Sequence, residues 1–120
     1  MFNFEKLESW HKAVAFADNV YGITKSFPES ERFGLTSQLR RAAVSISSNI
    51  AEGSSRSSRA DFARFVEIAA GSLFEVVSQL AIAQNQGFLN EGNHRKLCLQ
   101  AEELIRMFSG LRKSLHKSPA

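Results

Sequence analysis

This chain is short of the residues that interrupt helices or clamp loops together. It holds two prolines in 120 residues, Pro28 and Pro119. Everything from Glu29 to Ser118 is therefore free of the side chain that removes a backbone donor and clashes inside a helix. Cys98 is the single cysteine, which excludes an intrachain disulfide and a cysteine-rich zinc site. No unbroken apolar run approaches the roughly 20 residues that span a bilayer. The N-terminal MFNFEKLESWHK carries acids and lacks the continuous apolar segment of a secretory signal. These absences lead to an expectation of a cytoplasmic protein with no membrane partner.

What is present is ordinary in amount. Apolar residues make up 43% and charged residues 22%, a globular balance in a length that suits one domain with a real core. Phenylalanine, with ten copies, is the abundant aromatic. The net charge of +3 and isoelectric point near 9.4 suit a polyanionic partner without being diagnostic of one.

Apolar spacing predicts four helices, at about 5–25, 33–53, 58–86 and 90–117. In the first, Leu7, Trp10, Val14, Ala17, Tyr21 and Thr24 recur at three and four, with Phe16, Val20, Ile23 and Phe27 as a second stripe beside them. Pro28 then turns the chain. The second helix carries Leu35, Leu39, Ala42, Ile46 and Ile50 and is expected to stop at Gly53 in a left-handed cap. Ser58 and Asp61 read as the capped start of the third. Its stripe is Phe62, Phe65, Ala69, Leu73, Val76, Leu80 and Ala83, flanked by Val66, Phe74, Val77 and Ala81. The third helix should end near Gly87. The fourth has the cleanest seam: Leu97, Ala101, Leu104, Phe108, Leu111, Leu115.

No segment alternates as a strand does, so the fold class expected is all-α, an antiparallel up-down four-helix bundle in a single domain. The doubled stripes on the first and third helices exceed what one core needs. A subunit interface is the expected use of the surplus.

Chemistry is sparse. His11, His94 and His116 lie on separate elements and form no metal-binding spacing, so neither a metal nor another cofactor is expected. Cys98 borders the seam of the fourth helix and reads as a small apolar residue without a nearby base. The stretch RRAAVSISSNIAEGSSRSSR, residues 40–59, lacks the strand and the Gly-Lys-Ser/Thr of a phosphate-binding loop. It reads instead as a helix with a basic rim. A weaker anion site is possible where Arg56 and Arg59 flank the free amides near Ser57 and Ser58. Arg40, Arg56, Arg59 and Arg64 are the candidate nucleic-acid contacts, with Arg95, Arg112 and Lys113 as a second basic group. Gln38, Arg41, Asn49, Glu52 and Glu75 are assigned to a buried structural polar cluster, because Glu75 sits between Leu73, Phe74 and Val76 and a lone buried carboxylate is costly.

The segment FPESERFGLTSQLRRAAVSISSNIAEGSSRSS, followed by FARFVEIAAGSLFEVVSQL, resembles the four-helix-bundle proteins encoded in intervening sequences of bacterial 23S ribosomal RNA genes. The resemblance rests on Gln38, Leu39, Arg41 and Ala42, then Ser45 and Ile46, Asn49 to Gly53, and Gly71, Ser72, Leu73 and Glu75. Ser47 stands where such proteins often have proline. The resemblance implies a homopentameric ring and no enzymatic activity. The family is similar also to the accessory protein of diversity-generating retroelements, a basic pentameric bundle that binds nucleic acid and a reverse transcriptase. Five copies would bring the formal charge to five times +3, about +15. The function expected is thus a non-enzymatic homo-oligomer that binds structured RNA or another nucleic acid. The alternative is a scaffold that recruits a protein partner.

Overall fold

A computed structural model describes residues 1–117 of the chain. Among them are four α-helices and no strand: α1 (Glu8–Thr24), α2 (Leu35–Ser54), α3 (Arg59–Asn85) and α4 (Glu91–Leu115). Single 3₁₀ turns, Asn3–Lys6 and Glu29–Glu31, precede α1 and α2. Each helix packs against its neighbour in sequence, and α1 closes on α4. The result is an elongated body of 52 × 22 × 21 Å, with one core shared by all four helices.

The helix ends follow from local chemistry. Ser58 accepts a hydrogen bond from the Asp61 amide at 3.0 Å, and Asn90 accepts one from the Asn93 amide at 2.7 Å; both are side-chain N-caps. Gly34 has no side chain to cap α2, so the Glu31 carboxylate accepts from the Leu35 amide at 3.1 Å. The carboxylate also places negative charge at the positive end of the helix. The end of α3 is a Schellman turn. Gly87, at φ 81°, is the glycine with positive φ, and the Phe88 amide reaches back to the Ala83 carbonyl at 2.9 Å.

Gly53 differs from expectation. The helix runs through it to Ser54, and its φ is not positive. A Cβ there would lie 2.7 Å from Phe65 Cβ and 2.9 Å from Phe62 Cδ1. Gly53 is small because α3 passes against it, not because the chain turns left-handed.

Most stripes fall where their spacing places them. Leu39, Ala42, Ile46 and Ile50 of α2, Phe65, Ala69, Leu73, Val76, Leu80 and Ala83 of α3, and Leu97, Ala101, Leu104 and Phe108 of α4 are buried. On α1 the core register is Ala13, Phe16, Ala17, Val20 and Thr24, so the core draws on both stripes, and Tyr21 of the first is exposed. On α3 the flanking stripe divides: Val66 is buried and Val77 half-buried, but Phe74 is 60% exposed.

By length and composition α3 is apolar enough to cross a bilayer, contrary to the sequence reading. A core helix of a bundle meets the same measure, and the buried face of α3 belongs to the core shared with the other helices.

Contacts between helices pair rising with falling numbers. Gln38 meets Gln79, Ser45 meets Ser72 and Gly53 meets Phe65 across α2 and α3. Lys12 meets Glu103 and Asn19 meets Gln100 across α1 and α4. Phe27, after α1, packs on Phe88, after α3, with ring centroids 5.8 Å apart.

Candidate nucleic-acid interface

Four of the arginines singled out from sequence meet where α2 ends, α3 begins and α4 ends. Arg56 bonds Glu52 at 2.8 Å while its guanidinium lies 4.8 Å from the Phe65 ring centroid. Arg64 approaches the same ring at 5.1 Å and stands 3.9 Å from Asp61. Arg59 donates to the Ser114 carbonyl at 2.6 Å, tying the start of α3 to the last turn of α4, which carries Arg112 and Lys113. Arg112 bonds Glu67 at 3.0 Å. These pairs are solvent-exposed, and such pairs hold their partners weakly, so a phosphate can displace the carboxylates at small cost. The amides at the start of α3 are partly answered already, by the Ser58 cap and by Asp61 in the first turn.

The other two arginines lie elsewhere. Arg95 is on the first turns of α4, 3.6 Å from Glu91. Arg40 lines an open groove of about 600 Å³ between α1 and α2, together with Tyr21, Arg32, Phe33, Ser37 and Arg41. Phe33 and Arg32 carry no periodicity signal, because they sit in the turn before α2. Only their adjacency to Arg40 in space marks them.

The expected polar cluster does not form as a unit. Arg41 and Glu75 are both exposed, as is Gln38. Glu75 escapes burial because its apolar neighbours in sequence do not share one face: Leu73 and Val76 point inward while Phe74 is in solvent. The residue that is buried is Gln79, 8% exposed. Its Nε2 donates to Glu75 at 3.3 Å and Gln38 at 3.4 Å, and its Oε1 has no partner. Asn49 bonds the carbonyl and hydroxyl of Ser45 at 2.8 and 3.0 Å, and Ser45 in turn contacts Ser72 at 3.0 Å. Glu52 belongs to Arg56.

A base does stand near Cys98. His94 is one helical turn before it, with Nε2 3.6 Å from the sulfur. The half-buried thiol is nonetheless pushed up from its ordinary value, by burial first and by the Glu102 charge second. A raised thiol is a poor nucleophile. Among the described residues no three metal-ligating side chains converge. The Lys12–Glu103 pair, at 2.7 Å, lowers the Glu103 carboxyl and raises the Lys12 ammonium through their hydrogen bond and mutual charge.

Comparison with known proteins agrees with this architecture. No curated protein matches the chain. A solved structure from Bacteroides thetaiotaomicron, described as a protein of unknown function from the S23 ribosomal protein family, superposes with a TM-score of 0.81 at 22% identity. The match covers 88% of this chain and 95% of that one, which establishes the shared fold. The family model described as 23S rRNA-intervening sequence protein matches residues 5–110. The chain therefore belongs to the 23S rRNA-intervening sequence protein family.

Proposed function

We propose that this protein is a non-enzymatic, cytoplasmic, homo-oligomeric up-down helical bundle that binds RNA through its arginines. The observation carrying this reading is the gathering of Arg56, Arg59, Arg64 and Arg112 at one end of the body, on the turn between α2 and α3, on α3 and on α4. They are held by exposed and replaceable ion pairs and, for Arg59, a bond to a backbone carbonyl. The opposed numbering of the cross-helix pairs supports the antiparallel order. The fivefold ring implied by family resemblance is supported by apolar surface left over from the core: Phe74, Ile82 and Leu99 are at least half exposed. A ring repeats the arginine cluster around one particle, so weak phosphate contacts add through avidity.

The test is binding of a labelled structured RNA across a salt series, with particle mass measured alongside. Affinity is expected to fall steeply with salt. Substituting Arg56→Ala and Arg59→Ala together should lower the slope of log affinity on log salt by about 0.7–0.9 for each phosphate no longer neutralised. An unchanged slope removes those arginines from the interface. No binding at low salt removes the reading itself. The scaffold alternative would then stand, supported by the shallow apolar groove of Phe74, Val77, Cys98, Ala101 and Ile105 between α3 and α4.

A further inference from the structure

Arg40 is held in place without being neutralised. Its Nε donates to Thr24 Oγ1 at 2.9 Å, and its guanidinium lies 4.6 Å from the Tyr21 ring centroid. Thr24 is itself buried and anchored, donating to the Val20 carbonyl at 2.8 Å. Neither contact brings negative charge, so the Nη donors of Arg40 have no carboxylate among the described residues. Arg41 follows it, exposed and also without an ion pair there. Arg56, Arg64 and Arg112, at the other end, each have an acid.

Beside these two cations stands an aromatic that packs on nothing in the core. Phe33 is 87% exposed. Arg32 covers one side of its ring at 5.2 Å from the centroid, and the only acid paired with Arg32 among the described residues is exposed Glu29 at 3.5 Å. Thr36 and Arg40 line both this groove and an adjoining one that reaches Lys25. Cations tracking a groove, with an open aromatic face beside them, are the features that recognise an unpaired polynucleotide. Phosphates meet the guanidinium groups and a base meets the ring. A blunt duplex keeps its bases stacked on each other and cannot use the ring.

We propose that the groove between α1 and α2 binds single-stranded RNA, with backbone phosphates on Arg40 and Arg41 and one unpaired base stacked on Phe33. This rests on the RNA-binding reading above and gives it a strand preference and a second address. Arg40 is already fixed, so less side-chain freedom is given up on binding than for a mobile arginine.

The experiment measures affinity of the full chain for a labelled single-stranded RNA and for its blunt duplex, in Phe33→Ala, Phe33→Trp and Arg41→Ala variants. Particle mass and helicity are followed in each. Phe33→Ala should weaken single-strand binding about tenfold and duplex binding less than about twofold, and Phe33→Trp should restore it. Arg41→Ala should reduce the single-strand salt slope by about 0.7. Unchanged single-strand affinity in Phe33→Ala overturns the proposal, as does an equal loss for both RNAs. A change in particle mass also overturns it, by making Phe33 a contact between copies. Wild-type protein that binds neither RNA at low salt brings down the general reading together with this one. Binding that Arg56→Ala with Arg59→Ala abolishes, but Phe33→Ala leaves intact, sinks the groove alone.

Discussion

Replacing Gly53 with alanine sets two effects of opposite sign against each other. In a helix interior alanine is favoured over glycine by about 1 kcal/mol, and Gly53 is inside α2. The new methyl, however, would sit 2.7 Å from Phe65 Cβ and 2.9 Å from Phe62 Cδ1. A ring can tilt, but Phe65 Cβ is fixed to the backbone of α3. Relief therefore requires α2 and α3 to part, an overpacking cost of about 1–3 kcal/mol. Because the tightest contact is backbone-attached, the overpacking outweighs the helix gain, and Gly53→Ala should destabilise the fold by up to about 2 kcal/mol net. Gly110 provides the control, since it is helical and a methyl placed there would meet nothing within 4 Å. Gly110→Ala should gain about 0.5–1 kcal/mol. Urea unfolding followed by circular dichroism, at one fixed protein concentration, measures both. Gly53→Asn separates packing from capping, since a left-handed cap accepts asparagine and a close helix crossing does not. Gly53→Ala more stable than wild type, or Gly53→Asn equal to it, would refute the argument.

Other expectations concern single side chains. Gln79→Met removes a buried acceptor without a partner at the expense of two long hydrogen bonds, and should stabilise the fold by about 1 kcal/mol; a loss would show that the bonds to Gln38 and Glu75 outweigh the orphaned oxygen. Lys12→Met should move the Glu103 titration, followed by NMR, upward toward an ordinary carboxylate, because Lys12 is what lowers it. The sign for stability follows: the lowered Glu103 contributes above its ordinary value and loses that contribution as pH falls through the lowered one. The raised Lys12 contributes below its ordinary value and loses it as pH rises through the raised one. A Glu103 titration unmoved by Lys12→Met would mean that the pair does not form in solution. Cys98 should react with iodoacetamide more slowly in the native protein than in urea near neutral pH; equal or faster native reaction would show that His94 activates it.

The helices are legible in the sequence because their periodicity is strong and their punctuation local. Ser58 with Asp61 and the stop near Gly87 are short-range signals, readable from a few adjacent residues. The α1 register is harder, because two stripes one position apart both satisfy helical spacing and only packing against α2 and α4 selects Phe16 and Val20 over Tyr21. Gly53 misleads for a related reason: a glycine at a helix end and a glycine under a crossing helix look alike in one dimension. Glu75 shows the limit of reading burial from neighbours, since adjacent helical residues point about 100° apart. In the candidate interface, charge can be counted from sequence and some of the pairing read with it. Arg56 and Arg64 have acids four and three residues before them, Glu52 and Asp61, whereas Arg40 and Arg41 have none at those spacings; only the pairing of Arg112 with Glu67 needs the fold.

The order in which the helices pack has a kinetic consequence. Neighbours in sequence are neighbours in space, so most of the core can assemble from local contacts, the condition for folding in microseconds to milliseconds. The seam between α1 and α4 is the exception, because it joins distant parts of the chain across everything that lies between them. Its exposed polar pairs, Lys12 with Glu103 and Asn19 with Gln100, add little to hold it shut. During synthesis α1, α2 and α3 exist before Leu97, Ala101, Leu104 and Phe108 have been made. The sides of α1 and α3 that those residues cover must wait for them. A nascent chain is therefore most exposed to aggregation or to a chaperone in the interval just before α4 arrives, and the same seam should be the first to admit solvent when the folded bundle breathes.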